Sequence, residues 1–172
     1  MRDRFRRIAR VEKTHGRHGE VVTVPAHGLP SLVDVGLEVA VVPPMLRGTR
    51  WHRVLSRRSD GRSGDLVALD GVENLDAAEE LVGKWLLARE ADLPEGFELH
   101  DAPRLVGRTV RDERTGASGV IDEVMVGPAN DVWVLRGELG ELLLPVIPDV
   151  VDHVPCDGDI EIHIPAGLDW EV

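Results

Sequence analysis

Ile8-Ala9-Arg10-Val11-Glu12-Lys13-Thr14-His15-Gly16-Arg17-His18-Gly19-Glu20-Val21-Val22-Thr23-Val24 opens the chain with two β-prone runs around a polar turn that carries two glycines. The runs 8–11 and 20–24 read as strands, and Gly16 and Gly19 supply the positive φ that reverses the chain between them. A hairpin therefore starts the fold. Moving outward, the stretches 39–42, 51–56, 66–69 and 85–88 repeat the strand pattern, with Ser59-Asp60-Gly61-Arg62-Ser63-Gly64-Asp65 as a polar turn. About six strands result, enough to close a small barrel.

A helix interrupts this pattern. Asn74 is placed to cap it, Leu75, Ala78, Leu81 and Val82 share one face, Glu79 and Glu80 stay outside, and Gly83 ends it. The stretch 91–103 holds Pro94, Gly96 and Pro103 without a sustained period and reads as a linker. Domain boundaries follow at 1–92, 93–104 and 105–172. The later region predicts strands at 108–111, 119–126, 131–136, 141–144 and 159–164. In the last, Ile160, Ile162 and Ile164 alternate with Asp159, Glu161 and His163, the period of a half-buried strand. The expected fold is mostly β, two small barrels joined by a linker. The 18 Gly and 11 Pro, spread along the chain, agree with short strands and tight turns.

Charge separates the two halves. Residues 1–94 carry 15 Lys and Arg against 14 Asp and Glu, a net of +1, whereas residues 95–172 carry 5 against 17, a net of −12. The acidic half favours basic protein partners and is repelled by phosphate, while basic clusters in the first half permit nucleic-acid contact. No apolar stretch approaches the roughly 20 residues of a membrane span. The basic N-terminus lacks the apolar segment of a secretory signal, so a cytoplasmic location without membrane attachment is expected. The single cysteine, Cys156, fits a reducing compartment and reads as a semi-buried small hydrophobe.

Few residue patterns carry chemistry. His15 and His18 stand three apart, but no carboxylate or cysteine completes a ligand set, and the bland reading is a turn. His153, Cys156 and His163 offer three ligand types, yet His163 fits the outward register of the last strand. Gly83-Lys84 ends like a phosphate-binding loop, but Trp85 stands where Ser or Thr must ligate magnesium. No nucleophile elbow or assembled acid–base pair is visible, so no catalytic residue, metal or cofactor is expected. Arg47, Arg50, Arg53, Arg57, Arg58 and Arg62, with Trp51 among them, form the best RNA-facing run, led by Arg53, Arg57 and Arg58. The alternative is a solvated edge strand that resists aggregation. Lys13, His15 and Arg17 in the opening turn are further RNA-contact candidates, and Arg2, Arg4, Arg6, Arg7 and Arg10 make a weaker case.

Five segments, read in order, resemble the RimM family of ribosome maturation factors. They are the opening hairpin with its His-Gly-x-x-Gly-Glu turn at 15–20, and the Gly71 to Gly83 helix with its Ala78-Glu79 and Leu81. The Gly127-Pro128-Ala129-Asn130-Asp131 turn, the Leu144-Pro145-Val146-Ile147-Pro148 stretch and the closing Pro165-Ala166-Gly167-Leu168 complete the set. The resemblance spans about residues 8 to 168 and implies a translation-factor-like first barrel and a PRC barrel after it. It also implies a monomer that binds the small ribosomal subunit head through its S-nineteen-type protein and supports processing of small-subunit rRNA. Phe97, His100, Asn130, Asp131 and Pro145 are the partner-binding positions it points to. The chain departs from the family in having no Tyr, where relatives commonly carry an aromatic pair at the entry to the second barrel. One register puts Phe97 and Glu98 there; another puts Asp101 and Ala102. The competing reading is a PRC-barrel regulatory module with no ribosomal partner.

Overall fold

The computed structural model describes residues 3–171, which fold as two compact units divided between Pro94 and Glu95. In the first, β1 (Phe5–His15), β2 (Glu20–Pro25), β3 (Glu38–Val42), β4 (Trp51–Ser59), β5 (Asp65–Leu69) and β6 (Trp85–Arg89) form a closed barrel in the order β1-β2-β5-β4-β3-β6. Its ladders are antiparallel, and β6 pairs back onto β1. The six strands are those the hydrophobic pattern predicts.

Alternation fills the barrel. In β6, Leu86 and Ala88 point inward, fully buried, while Trp85, Leu87 and Arg89 are half-exposed outside. Ile8, Val11, Val21, Val39, Val41 and Val67 join them in the core, each aliphatic side chain contributing about 1.5–3 kcal/mol of burial. Two bulges break the alternation of β1, where the register shifts between Arg7 and Ala9 and again between Val11 and Lys13. At the first, Ile8 and Ala9 are both buried in succession, so Arg7 and Arg10 are both exposed. An inserted residue changes which side chains share a face.

The β1–β2 turn packs backbone against backbone. Gly19 has φ +86°, and a Cβ there would lie 2.0 Å from the Val72 carbonyl oxygen. The short helix α1 (Leu75–Glu79) is capped by Asn74, whose side-chain oxygen accepts the Ala77 N–H at 2.9 Å. Ala78 and Leu81 are buried, but Leu75 and Val82 are exposed at 36% and 42%, so the apolar face is narrower than the pattern implies. The reason is length: the regular helix ends at Glu79, and the chain turns towards Gly83, whose N–H bonds the Val11 carbonyl.

The second unit contains β7 (Thr109–Asp112), β8 (Ser118–Met125), β9 (Val132–Gly137), β10 (Gly140–Pro145) and β11 (Ile160–Ile162), ordered β10-β9-β8-β7-β11. β11 runs parallel to β7. The sheet curls around Leu105, Ile121, Trp133, Leu135, Leu142 and Leu144, but no ladder joins β10 to β11 among the described residues. Ile160 and Ile162 are buried with Glu161 outside, as the alternation predicts, whereas Ile164 leaves the ladder and donates its N–H to Asp112 at 3.3 Å.

The stretch expected as a linker is folded. Phe97–His100 forms a 3₁₀ turn, α2 (Ala102–Leu105) follows, and Leu105 is fully buried in the core of the second unit. Pro103 stands in the first turn of α2, where a missing N–H costs nothing. Proline and glycine here shape short helical turns instead of releasing the chain.

Candidate functional site

In the second unit, a brace holds the turn between β8 and β9. The His100 Nδ1–H donates to Asp131 Oδ2 at 2.6 Å, and the Gly127 N–H donates to Asp131 Oδ1 at 3.2 Å. Next to it, the Trp133 indole N–H reaches the Leu99 carbonyl at 3.3 Å. The turn is tight enough that a Cβ on Gly127 would sit 2.1 Å from the Asn130 carbonyl oxygen. Two expected partner-binding residues are therefore interior: Asp131 is 5% exposed and Phe97 4%. A carboxylate committed to two internal donors positions the loop, and a buried ring offers nothing to a partner.

Asn130 is exposed at the tip of that turn, and Pro145 is half-buried at the end of β10. Pro145 and Met125 are both cross-strand partners of Val132, so these three form a row beside the turn. Met125 and Val126 are exposed at 50% and 61%. Sequence reading passed over these two; the available signal was Val124-Met125-Val126, three apolar residues where a half-buried strand calls for alternation.

In the first unit, the expected RNA contacts divide. Lys13, His15 and Arg17 are exposed on the β1–β2 hairpin, and Arg58 reaches the same side to pair with Glu20, the cross-strand partner of His15, at 3.1 Å. Arg53 and Arg57 instead line a cavity of about 700 Å³ with Ser31, Asp34, Glu38 and Arg89. Arg57 Nε lies 3.1 Å from the buried Asp65, which also accepts the Ser31 hydroxyl, and Arg53 lies 3.9 Å from Glu38. The run is thus not a free row of guanidinium groups: its three leading members each have a carboxylate from elsewhere in the barrel. Exposed pairs of this kind are worth little and can exchange for phosphate, but Arg57 is tied to a buried partner.

Asp60 organises the β4–β5 turn. Its Oδ1 accepts the Arg62 N–H at 2.7 Å and the Gly64 N–H at 3.1 Å. The Arg62 bond is the chief cause that holds its carboxyl below the usual range; desolvation opposes it, and Gly64, Lys13 and Arg62 add to it. Arg4, Arg6, Arg7 and Arg10 lie within the described residues and Arg2 does not. Arg7 and Arg10 flank Trp85, an arrangement no local pattern announces.

Among the described residues, no three His, Cys, Asp or Glu side chains gather as a metal site. His153 pairs with Asp152 at 3.5 Å and His163 with Glu113 at 3.4 Å. Cys156 is exposed, not semi-buried, because it stands in the irregular segment before β11. No helix among the described residues is long and apolar enough to cross a membrane.

A closed barrel of near-neutral charge followed by an acidic open sheet places the chain among two-module β proteins whose functional groups lie on surfaces. No protein-family profile matches it. A ribosome maturation factor RimM of Shouchella clausii is 32% identical over 170 residues, covering 95% of this chain and 96% of the relative. That of Rubrobacter xylanophilus is 37% identical over 150 residues, covering 86% and 85%. A crystal structure of a 16S ribosomal RNA processing protein RimM from Pseudomonas aeruginosa is 21% identical, covers 95% of this chain and 99% of that one, and gives a TM-score of 0.42. On the strength of the sequence relatives, the chain belongs to the RimM family of ribosome maturation factors.

Proposed function

We propose that this protein acts in the cytoplasm as a monomeric, non-enzymatic assembly factor that binds the head of the small ribosomal subunit and supports 16S rRNA processing. The division of labour follows the two units. The second docks on a basic S-nineteen-type protein of the head through its acidic surface and the apolar row by the Asn130 turn. The first lies against small-subunit rRNA. The observation that carries this reading is the charge partition: a net of −12 on the unit that also exposes Met125, Val126 and Leu143. Such a surface suits a cationic protein with an apolar centre and repels phosphate.

The test is sedimentation of the tagged protein through sucrose gradients with free small subunits, mature ribosomes and large subunits. Co-migration with free small subunits in preference to the other two is expected. Equal recovery with all three, or with none, refutes the reading and returns the protein to the class of non-ribosomal binding modules.

A further inference from the structure

We propose that the outer face of β6 and β1 is a stacking surface for unpaired RNA nucleotides, with Trp85 as the platform and Arg7 and Arg10 as its phosphate contacts. This rests on the reading that the first unit faces rRNA, and it names the face.

Three features of Trp85 point the same way. First, the His27 imidazole already lies on it, with centroids 5.6 Å apart and planes within 13° of parallel. His27 is exposed and is the one non-glycine among the described residues with positive φ, at 49°. A planar heteroaromatic ring thus rests on the indole from a loop in an uncommon backbone conformation. A nucleobase has the same character with a larger π-face and displaces it. Second, the guanidinium carbons of Arg7 and Arg10 stand 5.4 and 5.8 Å from the indole centroid. Third, neither arginine makes an ion pair among the described residues, whereas Arg53, Arg57, Arg58 and Arg89 all do. Their charges are available to phosphate without breaking a pair.

The surface continues along the strand. Trp85, Leu87 and Arg89 are the outward residues of β6, and Arg89 lies over the Trp51 ring at 4.7 Å, with Phe5 at 5.7 Å from that ring. A second aromatic station, Trp51 on β4, therefore lies by the Arg89 end of β6, two strands across the sheet. Cation–aromatic pairs of this type occur about once in 70–80 residues, yet the described residues of this barrel hold three, two of them on Trp85. The strand beneath them carries Arg6, Arg7, Arg10 and Lys13 against Glu12 alone. Aromatic faces interleaved with cations bind single strands with little sequence preference, because every base has a π-face. An apolar peptide would use the indoles but not the excess positive charge.

The test uses the full chain, a labelled short single-stranded oligoadenylate, and free small subunits. Trp85→Leu, which keeps apolar volume but not the stacking face, should weaken oligonucleotide binding by about 5- to 150-fold and leave its salt dependence unchanged. Trp85→Phe should restore most of the affinity. The Arg7→Gln/Arg10→Gln double variant, altered only at exposed positions, should lower the slope of log K against log salt by about 1.4; it decides the matter alone if Trp85→Leu fails to fold. Unchanged oligonucleotide affinity and salt slope in these variants overturn the stacking surface, while sedimentation of the wild type with small subunits would leave the assembly-factor reading standing. Trp85-dependent oligonucleotide binding without subunit association supports the surface and removes the ribosomal reading. Loss of subunit association in Trp85→Leu with wild-type oligonucleotide binding also overturns the proposal, because the face then docks on protein.

Discussion

Replacing His100 and Asp131 by alanine, singly and together, probes the brace on which the second unit's exposed turn depends. Asp131 is 5% exposed and accepts two hydrogen bonds, from His100 at 2.6 Å and from Gly127 at 3.2 Å. Asp131→Ala removes the charge-assisted bond, worth about 1.5–3 kcal/mol, and orphans the Gly127 N–H in a tight turn, for about 1–3 kcal/mol more. The expected loss is about 3–5 kcal/mol, discounted towards the lower figure because His100 is one-third exposed. His100→Ala loses the shared bond but leaves Gly127 satisfied, so about 1.5–3 kcal/mol is expected. The double variant should fall short of the sum by about 1 kcal/mol or more, since one bond is counted in both singles. Urea unfolding followed by tryptophan fluorescence measures this, with Trp133 as a fully buried reporter bonded to the neighbouring Leu99 carbonyl. Hydrogen exchange at the Gly127 amide supplies a local reading: Asp131→Ala should deprotect it and His100→Ala should do so far less. Additivity within about 0.5 kcal/mol, or equal protection of Gly127 in both single variants, would refute the brace.

Three further outcomes are expected. Gly19→Ala should cost about 3 kcal/mol or more, because the new Cβ meets the Val72 carbonyl at 2.0 Å; Gly16→Ala, at φ +68° with open space around it, should cost only about 1–2 kcal/mol, and equal melting temperatures would negate the close approach. Burial pushes the Asp112 carboxyl up, but hydrogen bonds from the Thr115 hydroxyl and the backbone N–H groups of Ile164, Thr115 and Arg114 outweigh it and hold the group below its usual range. A depressed folded value means stability that is present above the unfolded carboxylate range and lost as pH falls through the folded one, so the urea midpoint should drop below about pH 4 and Asp112→Asn should blunt that drop. Arg57→Glu places a second negative charge against the buried Asp65 and should destabilise by about 2 kcal/mol, whereas Arg53→Gln/Arg58→Gln should leave stability within about 1 kcal/mol and weaken low-salt association with small subunits; thermal melts and sedimentation separate the two effects.

Local and periodic features were legible before any coordinates. The alternation of Ile160 and Ile162, the Asn74 cap and the glycine turns at 16 and 19 depend on neighbours a few residues away, so a linear reading places them. The charge difference between the halves needs only counting, and it falls at the boundary between the two units. What tertiary structure alone decided is which side chains are free. A bulge in β1 set Arg7 and Arg10 together beside Trp85, where strict alternation separates them. Strand pairing brought Glu38 on β3 and Asp65 on β5 across to the arginines of β4, and barrel curvature brought Glu20 on β2 to Arg58. Folding of the 97–105 segment turned two expected contact residues, Phe97 and Asp131, inward. The physical reason is common to all three: alternation and caps are written in short-range sterics, whereas register, closure and burial depend on partner strands whose positions no single stretch encodes.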